Sequence, residues 1–309
     1  MSRTVSPADA ADPRPEPRPP RDGVVAVDKP AGVTSRRVVD AVARALGMSA
    51  VGHAGTLDPL AEGVVVVCAG HATKLVDYVH DLPKHYTAAF LFGRSSPSDD
   101  FETPIDVEAD PRMPTTADLD TALPLFRGEI LQRPCDYSAV HVDGKRAYRL
   151  ARKGRAVELA EKPVRIDRLE ITAYDWPRLG LDVVCSSGTF IRAIGRDLAE
   201  ALGTKAVMES LVRTAVGPFT QSKSLPLDAV TRESVLAAML PPAAAIPHLP
   251  LVVLDADELT RAIRGGLIAV SGSPAPAMAA IDASGSLVGI LKQHESGAHR
   301  LRPNFLGAG

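Results

Sequence analysis

Short runs of β-branched residues, separated by glycine and proline, dominate the hydrophobic pattern of the chain. The run GVVAVDKP (23–30) ends at a proline and predicts a strand. Over about 36–47, apolar residues recur at helical spacing, with Ser35 as the predicted N-cap and Gly47 at the end. The run GVVVVCA (63–69) predicts a buried strand directly after a turn-rich loop.

Further along, HATKLVDYVHDL (71–82) predicts a short helix and KHYTAAFLFG (84–93) a strand. Residues 95–120 are polar and predict an acidic loop. VRIDRLEITAYDW (164–176) predicts a strand, and LDVVCSSGTFIRAIGRDLAEAL (181–202) predicts a strand, a glycine turn and a helix. Strands and helices interleave without a regular βαβ repeat. The pattern therefore favours an α+β fold with a mixed sheet over a doubly wound one.

Composition divides the chain into three parts. Residues 1–22 hold six prolines and almost no large apolar side chain, so we expect a disordered tail. The proline-rich stretch at 240–250 predicts a linker, so the main domain is expected over 23–244. Residues 245–309 predict a small β-rich domain, with DASG (282–285) as a hairpin turn.

Charge and cysteine content exclude several classes of protein. The formal net charge of −2 over 309 residues does not indicate a nucleic-acid partner, so any anion-binding surface must come from local segregation of charge. Three widely spaced cysteines argue against a disulfide framework and favour reduced thiols in a cytoplasmic protein. The chain has no apolar stretch near ~18 residues and no secretory signal, so no membrane association is expected.

The loop VGHAGTLDPLAEG (51–63) places a single aspartate, Asp58, among three glycines and a proline. Pro59 restricts Asp58 to extended conformations, which gives the carboxylate a defined direction. The simplest interpretation is a turn aspartate that caps backbone N–H groups. The alternative is a catalytic carboxylate.

Three other stretches favour the catalytic alternative. DKPAGVTS (28–35) is a second short glycine- and proline-containing loop, and it includes Lys29. SSGTFIR (186–192) places Arg192 just after a glycine bend, where a guanidinium can orient a carboxylate. KHYT (84–87) places Tyr86 at the start of a strand, where it offers a flat face for stacking and a hydroxyl for proton transfer.

KRAYRLARKGR (145–155) holds six basic residues, no acidic one and an embedded tyrosine. Such a stretch suits a phosphate backbone, and the absence of interleaved acids argues against an ordinary solvated helix face. Its charge offsets the acidic loop at 99–110. No metalloprotease, P-loop, dinucleotide-binding or nucleophile-elbow motif is present, and the histidines do not cluster, so no metal or cofactor is expected.

The order of these segments resembles the bacterial tRNA pseudouridine-55 synthase family, the TruB type. The resemblance rests on DKPAGVTS, GHAGTLDPLAEGVVVVCAGHATKL, KHYTAAFLFG, QRPCDYSAVHVDGKRAYRLARKG and SSGTFIRAIGRDL, and covers roughly residues 23–220. It implies a pseudouridine synthase fold with a PUA-like C-terminal domain. The implied activity is isomerisation of uridine to pseudouridine at position 55 in the tRNA T-stem-loop, without a cofactor.

The resemblance also implies roles for individual residues. Asp58 corresponds to the catalytic aspartate, Tyr86 to the tyrosine that stacks on the uracil, and Arg192 to the arginine paired with the carboxylate. The other implied substrate-binding residues are His53, Phe190, Leu211 and Lys29. The basic residues expected to contact the RNA backbone are Lys145, Arg146, Arg149, Arg152 and Lys153.

Three residues depart from the family pattern. Phe190 stands where the family often has tyrosine, so a hydroxyl is lost. Cys135 stands where a second proline is usual, which predicts a slightly less stiff loop. Glu62 replaces a small hydroxyl residue, and we expect it to point away from Asp58, because a like charge would raise the pKa of Asp58.

Two alternatives stay open at the level of the sequence. A non-catalytic module that binds RNA or folds tRNA would use the same basic stretch, and it does not exclude catalysis. An aspartyl phosphotransferase that uses Asp28 or Asp58 is disfavoured, because no DxD-type arrangement is present. A monomer is expected, because one T-loop needs one site.

Overall fold

A computed structural model of the 309-residue chain describes residues 22–138, 140–142, 145–151, 159–270 and 275–305. Its β-strands are β1 (Gly23–Lys29), β2 (Val51–His53), β3 (Glu62–Ala69), β4 (Lys84–Phe92), β5 (Arg94–Ser95), β6 (Asp106–Val107), β7 (Gly128–Gln132), β8 (His141–Val142), β9 (Lys145–Arg146), β10 (Lys162–Asp175), β11 (Arg178–Cys185), β12 (Ala206–Val216), β13 (Phe219–Thr220), β14 (Leu225–Pro226), β15 (Leu251–Val253), β16 (Leu267–Ile268), β17 (Ala277–Ile281), β18 (Leu287–Gln293) and β19 (His299–Asn304). Its α-helices are α1 (Ser35–Leu46), α2 (Val76–His80), α3 (Thr116–Ala122), α4 (Ala147–Ala151), α5 (Ile191–Ala201), α6 (Arg232–Ala238) and α7 (Ala256–Ile263).

A large mixed sheet organises the first part of the molecule. Its strand order is β14-β1-β3-β12-β4-β11-β10-β7, with β2 added to β3 and β13 added to β12. Most neighbours are antiparallel, while β1 with β14 and β3 with β12 are parallel. The predicted α+β class with a mixed sheet is therefore confirmed.

Helices α1 and α5 cover one face of this sheet. Val38 and Val42 of α1, and Ile194 and Leu198 of α5, are fully buried and join a single apolar cluster with the sheet residues. The apolar stripes of both helices thus face the core, as expected for amphipathic helices. This packing fixes the ends of both helices above the sheet.

The C-terminal part forms a separate five-stranded sheet in the order β15-β17-β18-β19-β16. Ala279 and Ile290 of this sheet pack in one apolar cluster with Val64 and Val66 of β3. The second sheet therefore covers the face of the large sheet opposite α1 and α5. Its predicted hairpin at 282–285 is confirmed, with Gly285 at φ 83° where a left-handed residue is needed.

Several local predictions are corrected by the structure. Thr34, and not Ser35, is the N-cap of α1, and its hydroxyl accepts the N–H of Arg37. The predicted helix at 71–82 begins as a 3₁₀ turn over Gly70–Leu75. Residues 95–120 are not simply a loop, since they contain β6 and overlap β5 and α3.

Strand β12 was not predicted at all, although it lies in the middle of the large sheet. Its sequence, AVMESLVRTAV, carries Glu209 and Arg213, which break the apolar run. Within the described residues, none of the helices has the length and apolar character that crossing a membrane requires.

Candidate active site

Asp58 lies in the loop that joins β2 to β3, above the centre of the large sheet. The chain enters this loop through Gly55, at φ 104°, and leaves it at Gly63, at φ 103°. A Cβ at Gly63 would overlap the carbonyl of Arg213 on the neighbouring strand β12. Glycine is thus required at position 63, where the loop closes onto the sheet.

Two buried side chains, Lys29 of β1 and Ser35 of α1, hydrogen-bond to the backbone of the Asp58 loop. The Ser35 hydroxyl accepts the N–H of Leu57 at 2.8 Å and donates to the carbonyl of Leu57 at 3.1 Å. Ser35 therefore fixes the backbone directly before Asp58, which explains why it is buried and is not the helix cap.

Lys29 is the last residue of β1, not part of the following loop, and it is fully buried. Its ammonium donates to the carbonyls of Val33 at 2.7 Å and Pro30 at 3.0 Å, and to those of Pro59 and Ala61 in the Asp58 loop. Burial lowers the pKa of Lys29 to about 8, against the opposing charges of Glu62 and Asp58. Lys29 therefore ties the Asp58 loop to the end of β1.

Arg192 forms an ion pair with Asp58. Nη2 lies 2.9 Å from Oδ2 of Asp58, and the arginine side chain is only 4% exposed. The second nitrogen, Nη1, lies 3.2 Å from Oδ2 of Asp100. The guanidinium also donates to the carbonyls of Ser98 at 2.7 Å and Tyr137 at 3.0 Å. The arginine is therefore fixed from several directions and presents one nitrogen to Asp58.

The electrostatics of Asp58 reflect two opposed effects. Burial raises the pKa of Asp58, and the neighbouring Arg192 lowers it, while Asp100 and Glu102 raise it further. The net direction is upward, even though 40% of the side chain is exposed, because the walls of the cavity surround the carboxylate. Asp58 is thus a carboxylate held partly desolvated beside a fixed cation.

A cavity of about 390 Å³ opens beside Asp58 and Arg192. Its wall includes Tyr86 of β4, Leu211 of β12 and Phe190 at the start of α5. Gln132 fixes the backbone of Phe190 by accepting its N–H at 2.8 Å and donating to its carbonyl at 3.1 Å. This slot combines apolar and aromatic side chains with one carboxylate and buried cations, which suits a planar, polar-edged ligand of nucleobase size.

Some predicted site residues lie apart from this cavity. His53 lies in β2, outside the cavity lining, and its buried Nδ1 has no hydrogen-bond partner among the described residues. Burial and Arg213 lower the pKa of His53. Glu62 lines a different cavity, next to Lys29 and Arg37, so it points away from Asp58 as expected.

The basic stretch is described only in part. Lys145 and Arg146 form β9 and Arg149 belongs to α4, and of these three only the backbone is described. Arg152 and Lys153 lie outside the described residues. The N–H of Tyr148 donates to the carbonyl of Ser138, which is a lining residue of the cavity, so this stretch begins at the rim of the site.

Sequence reasoning missed several residues that shape the site. The polar pattern around Asp100 predicts an exposed loop residue, yet its side chain is 2% exposed and shares Arg192 with Asp58. Lys84 and Arg213 are buried cations in the cavity wall. The available signal was a charged residue inside or beside an apolar run, as in KHYTAAF and SLVRTAV. Among the described residues, no group of three or more His, Cys, Asp or Glu side chains is placed to hold a metal ion.

Comparison with solved structures identifies the fold. The chain superposes on the protein of "Crystal Structure of a Cbf5-Nop10-Gar1 Complex" with a TM-score of 0.70 at 22% identity, over 93% of this chain and 85% of that one. A second match, "Structure of H/ACA RNP bound to a substrate RNA containing 2'-deoxyuridine", has a TM-score of 0.69. The predicted pseudouridine synthase fold is confirmed.

Sequence comparison then identifies the family. The model for the TruB family pseudouridylate synthase N-terminal domain matches residues 43–191, and that for the tRNA pseudouridylate synthase B C-terminal domain matches 192–251. A relative from Mycobacterium bovis, tRNA pseudouridine synthase B, is 37% identical over 89% of this chain and 93% of its own length. One of the same name from Gloeobacter violaceus is 41% identical over 79% of this chain and 85% of its own. The chain belongs to the TruB family of pseudouridylate synthases, which are isomerases, as the resemblance implied.

Proposed function

We propose that this chain converts uridine to pseudouridine at position 55, in the T-loop of tRNA, with Asp58 as the catalytic carboxylate. The relatives named above are called tRNA pseudouridine synthase B, which supports tRNA as the substrate. The observation that carries the proposal is the Asp58 carboxylate in the cavity wall, 2.9 Å from a buried arginine. An aspartate that only caps a turn would not need Arg192 beside it, held in place by Asp100 and by two backbone carbonyls.

The reaction breaks the bond between N1 and C1′ and forms a bond between C5 and C1′. The proton on C5 is lost and N1 gains one, so nothing is oxidised and no external group is transferred. The isomerisation therefore needs no cofactor. Two routes use the same carboxylate: Asp58 attacks the sugar or the base, or it removes the proton at C2′ and so forms a glycal. Both routes require the ionised form of Asp58, which Arg192 favours.

The base must leave its stack to reach Asp58, which costs a few kcal/mol and least where it is not in a regular duplex. Tyr86 then stacks on the flipped uracil, while Leu211 and Phe190 line the slot. Lys29 holds the Asp58 loop through its carbonyl contacts. We assign His53 to the opened RNA loop, because it lies beside the cavity and not in its wall.

The basic stretch supplies the contacts to the RNA backbone in this proposal. Its residues are Lys145, Arg146, Arg149, Arg152 and Lys153. Phosphate contacts give affinity that falls with salt, whereas the shape of the T-loop gives selectivity. We further propose that the enzyme acts as a monomer with one active site and works in the cytoplasm. Its catalytic domain comprises residues 23–244, and its PUA-like domain comprises residues 245–309.

Tritium release from tRNA that carries [5-³H]uridine tests the proposal directly. The wild-type protein should release about one equivalent per tRNA, and a tRNA with cytidine at position 55 should release none. The Asp58→Ala variant should bind the tRNA and release nothing. Tight binding without release by the wild-type protein would instead identify a tRNA-binding module.

A further inference from the structure

Arg213 is a buried cation below the Asp58 loop, and no carboxylate pairs with it among the residues that the structure describes. The residue is 2% exposed and its side chain lines the cavity. Its Nε donates to the carbonyl of Val64 at 2.7 Å and its Nη2 to the carbonyl of Gly55 at 3.1 Å. Gly55 opens the loop that carries Asp58, so Arg213 holds that loop from the sheet.

The position of Arg213 in the sheet brings it to Tyr86 as well. Strand β12 pairs with β4 so that Arg213 lies directly opposite Tyr86. It also pairs with β3 at Gly63, where the absence of a side chain lets the two backbones approach. Both side chains line the cavity, as cross-strand neighbours on one face of the sheet do. Burial raises the pKa of Tyr86, and the nearby charge of Arg213 opposes that rise. Arg213 thus binds the entrance of the Asp58 loop and is the cross-strand neighbour of Tyr86.

The neighbouring cation, Lys84, does not have this arrangement. Its ammonium donates to the carbonyls of His80 at 2.5 Å and Leu82 at 2.6 Å, and to the hydroxyl of Ser187 at 2.8 Å. These contacts tie together the turn before β4 and the turn after β11. Lys84 therefore ties two turns together, whereas Arg213 is bonded to the Asp58 loop itself and lies opposite Tyr86.

We propose that Arg213 is a positioning residue for the isomerisation: it fixes the Tyr86 hydroxyl and the Asp58 loop in one geometry across the cavity. The proposal rests on the proposed function for its kinetic consequence, but the contact itself can be tested without activity. Since arginine has a planar fork and lysine a single point charge, lysine at this position keeps the charge and loses the simultaneous contacts.

The kinetic test compares Arg213→Lys in two backgrounds. In the otherwise wild-type enzyme, we expect the single-turnover rate on tRNA to fall roughly 10- to 100-fold, with the Kd for tRNA within about threefold. In the Tyr86→Phe background, the rate loss caused by Arg213→Lys should be at least about fivefold smaller. The effects of two substitutions do not add when the substituted groups contact each other. Equal costs in both backgrounds, or a loss confined to Kd, would overturn the proposal. The variant Arg178→Gln, which removes a partly exposed ion pair with Glu209 away from the cavity, is the matched control.

A spectroscopic test reads the contact itself. In protein labelled with ¹³Cζ-tyrosine, the Tyr86 resonance is assigned by its loss in Tyr86→Phe. That resonance should move in Arg213→Lys and stay in place in Arg178→Gln, while melting curves confirm that both variants are folded. An unmoved Tyr86 resonance in folded Arg213→Lys would refute the contact. An inactive wild-type enzyme with a moved resonance would refute the proposed function and leave the contact standing.

Discussion

Two loops with different sequence signatures meet at Arg192, and each supplies one carboxylate. Asp58 comes from a glycine-rich loop, is 40% exposed and faces the cavity. Asp100 comes from an acidic stretch, is 2% exposed and faces the protein interior. The Asp100 carboxylate accepts the Ser98 hydroxyl at 2.6 Å and the N–H of Glu102 at 2.9 Å, so its contacts are all internal.

The difference separates two functions of the same chemical group. The interior carboxylate holds the arginine in place, and the cavity carboxylate remains available for chemistry. A buried ion pair is costly to break from one side, because the remaining charge is left uncompensated. The two aspartates should therefore respond in opposite ways when stability and activity are measured together.

The largest effect is expected for Arg192, which serves both carboxylates. Arg192→Gln leaves Asp100 buried without its cation, so we expect the free energy of unfolding to fall by roughly 3–5 kcal/mol and the single-turnover rate to fall about 10²- to 10³-fold. Urea denaturation and tritium release measure these two quantities. Arg192→Lys should keep more of the stability than of the activity, because it retains the charge but not the fork. An unchanged free energy of unfolding in Arg192→Gln would contradict the claim that Asp100 forms a stabilising buried ion pair with Arg192.

The next effect concerns stability at the two aspartates. Asp100→Asn should lower the free energy of unfolding by about 3 kcal/mol, since it breaks a buried pair. Asp58→Asn should leave stability unchanged or higher. The raised pKa of Asp58 means that its ionised form is disfavoured in the folded state, so the carboxylate lowers stability above its unfolded pKa. Thermal melts of the two variants side by side check this, and equal losses would contradict the comparison.

A smaller effect is expected in the pH dependence. Because the pKa of Asp58 is raised, activity should fall on acidification at a pH above the ordinary aspartate value. The pH at which the rate falls on acidification should move upward in Arg192→Gln, because the pKa of Asp58 rises further without the cation. In Arg192→Lys, which keeps a cation, this upward shift should be smaller. Single-turnover rates against pH measure both shifts. If the rate falls only at or below the ordinary pKa of aspartate, burial does not control the pKa of Asp58.

The smallest effect is expected at Phe190, where the family often has tyrosine. The backbone of this residue is fixed by Gln132, independently of its ring. Phe190→Tyr should change kcat/KM by less than about threefold, since the ring that lines the slot is kept. Steady-state kinetics on tRNA provide the measurement, with Phe190→Leu as the control that removes the flat face. A gain of tenfold or more would mean that the missing hydroxyl limits this enzyme.

The sequence predicted the parts of the molecule that local patterns determine. The β-branched runs of β1 and β3, the apolar stripe of α1 and the glycine-rich Asp58 loop all depend on near neighbours. Asp58, Arg192 and Tyr86 meet in one cavity, as the family resemblance implied. The resemblance was needed for this, because Arg192 lies more than a hundred residues from Asp58 along the chain.

The parts that were missed depend on distant partners. Asp100 is polar by type but buried by its pair with Arg192, which no local pattern reveals. Ser35 has the composition of a helix cap, yet its hydroxyl is used by Leu57. Arg213 interrupts an apolar run because its charge is satisfied by carbonyls of two other segments. In each case a tertiary contact overrides the local preference.

The most direct test of the account is the single-turnover rate of tritium release by Asp58→Asn on [5-³H]uridine tRNA, with enzyme in excess and tRNA binding measured in parallel. Asparagine keeps the size of the side chain and removes only its charge. The account predicts tRNA affinity within about threefold of wild type and a rate reduced by at least roughly 10³-fold, the scale of about 4 kcal/mol of lost transition-state stabilisation. A rate within tenfold of wild type would contradict the central claim that the loop presents Asp58 as the catalytic carboxylate.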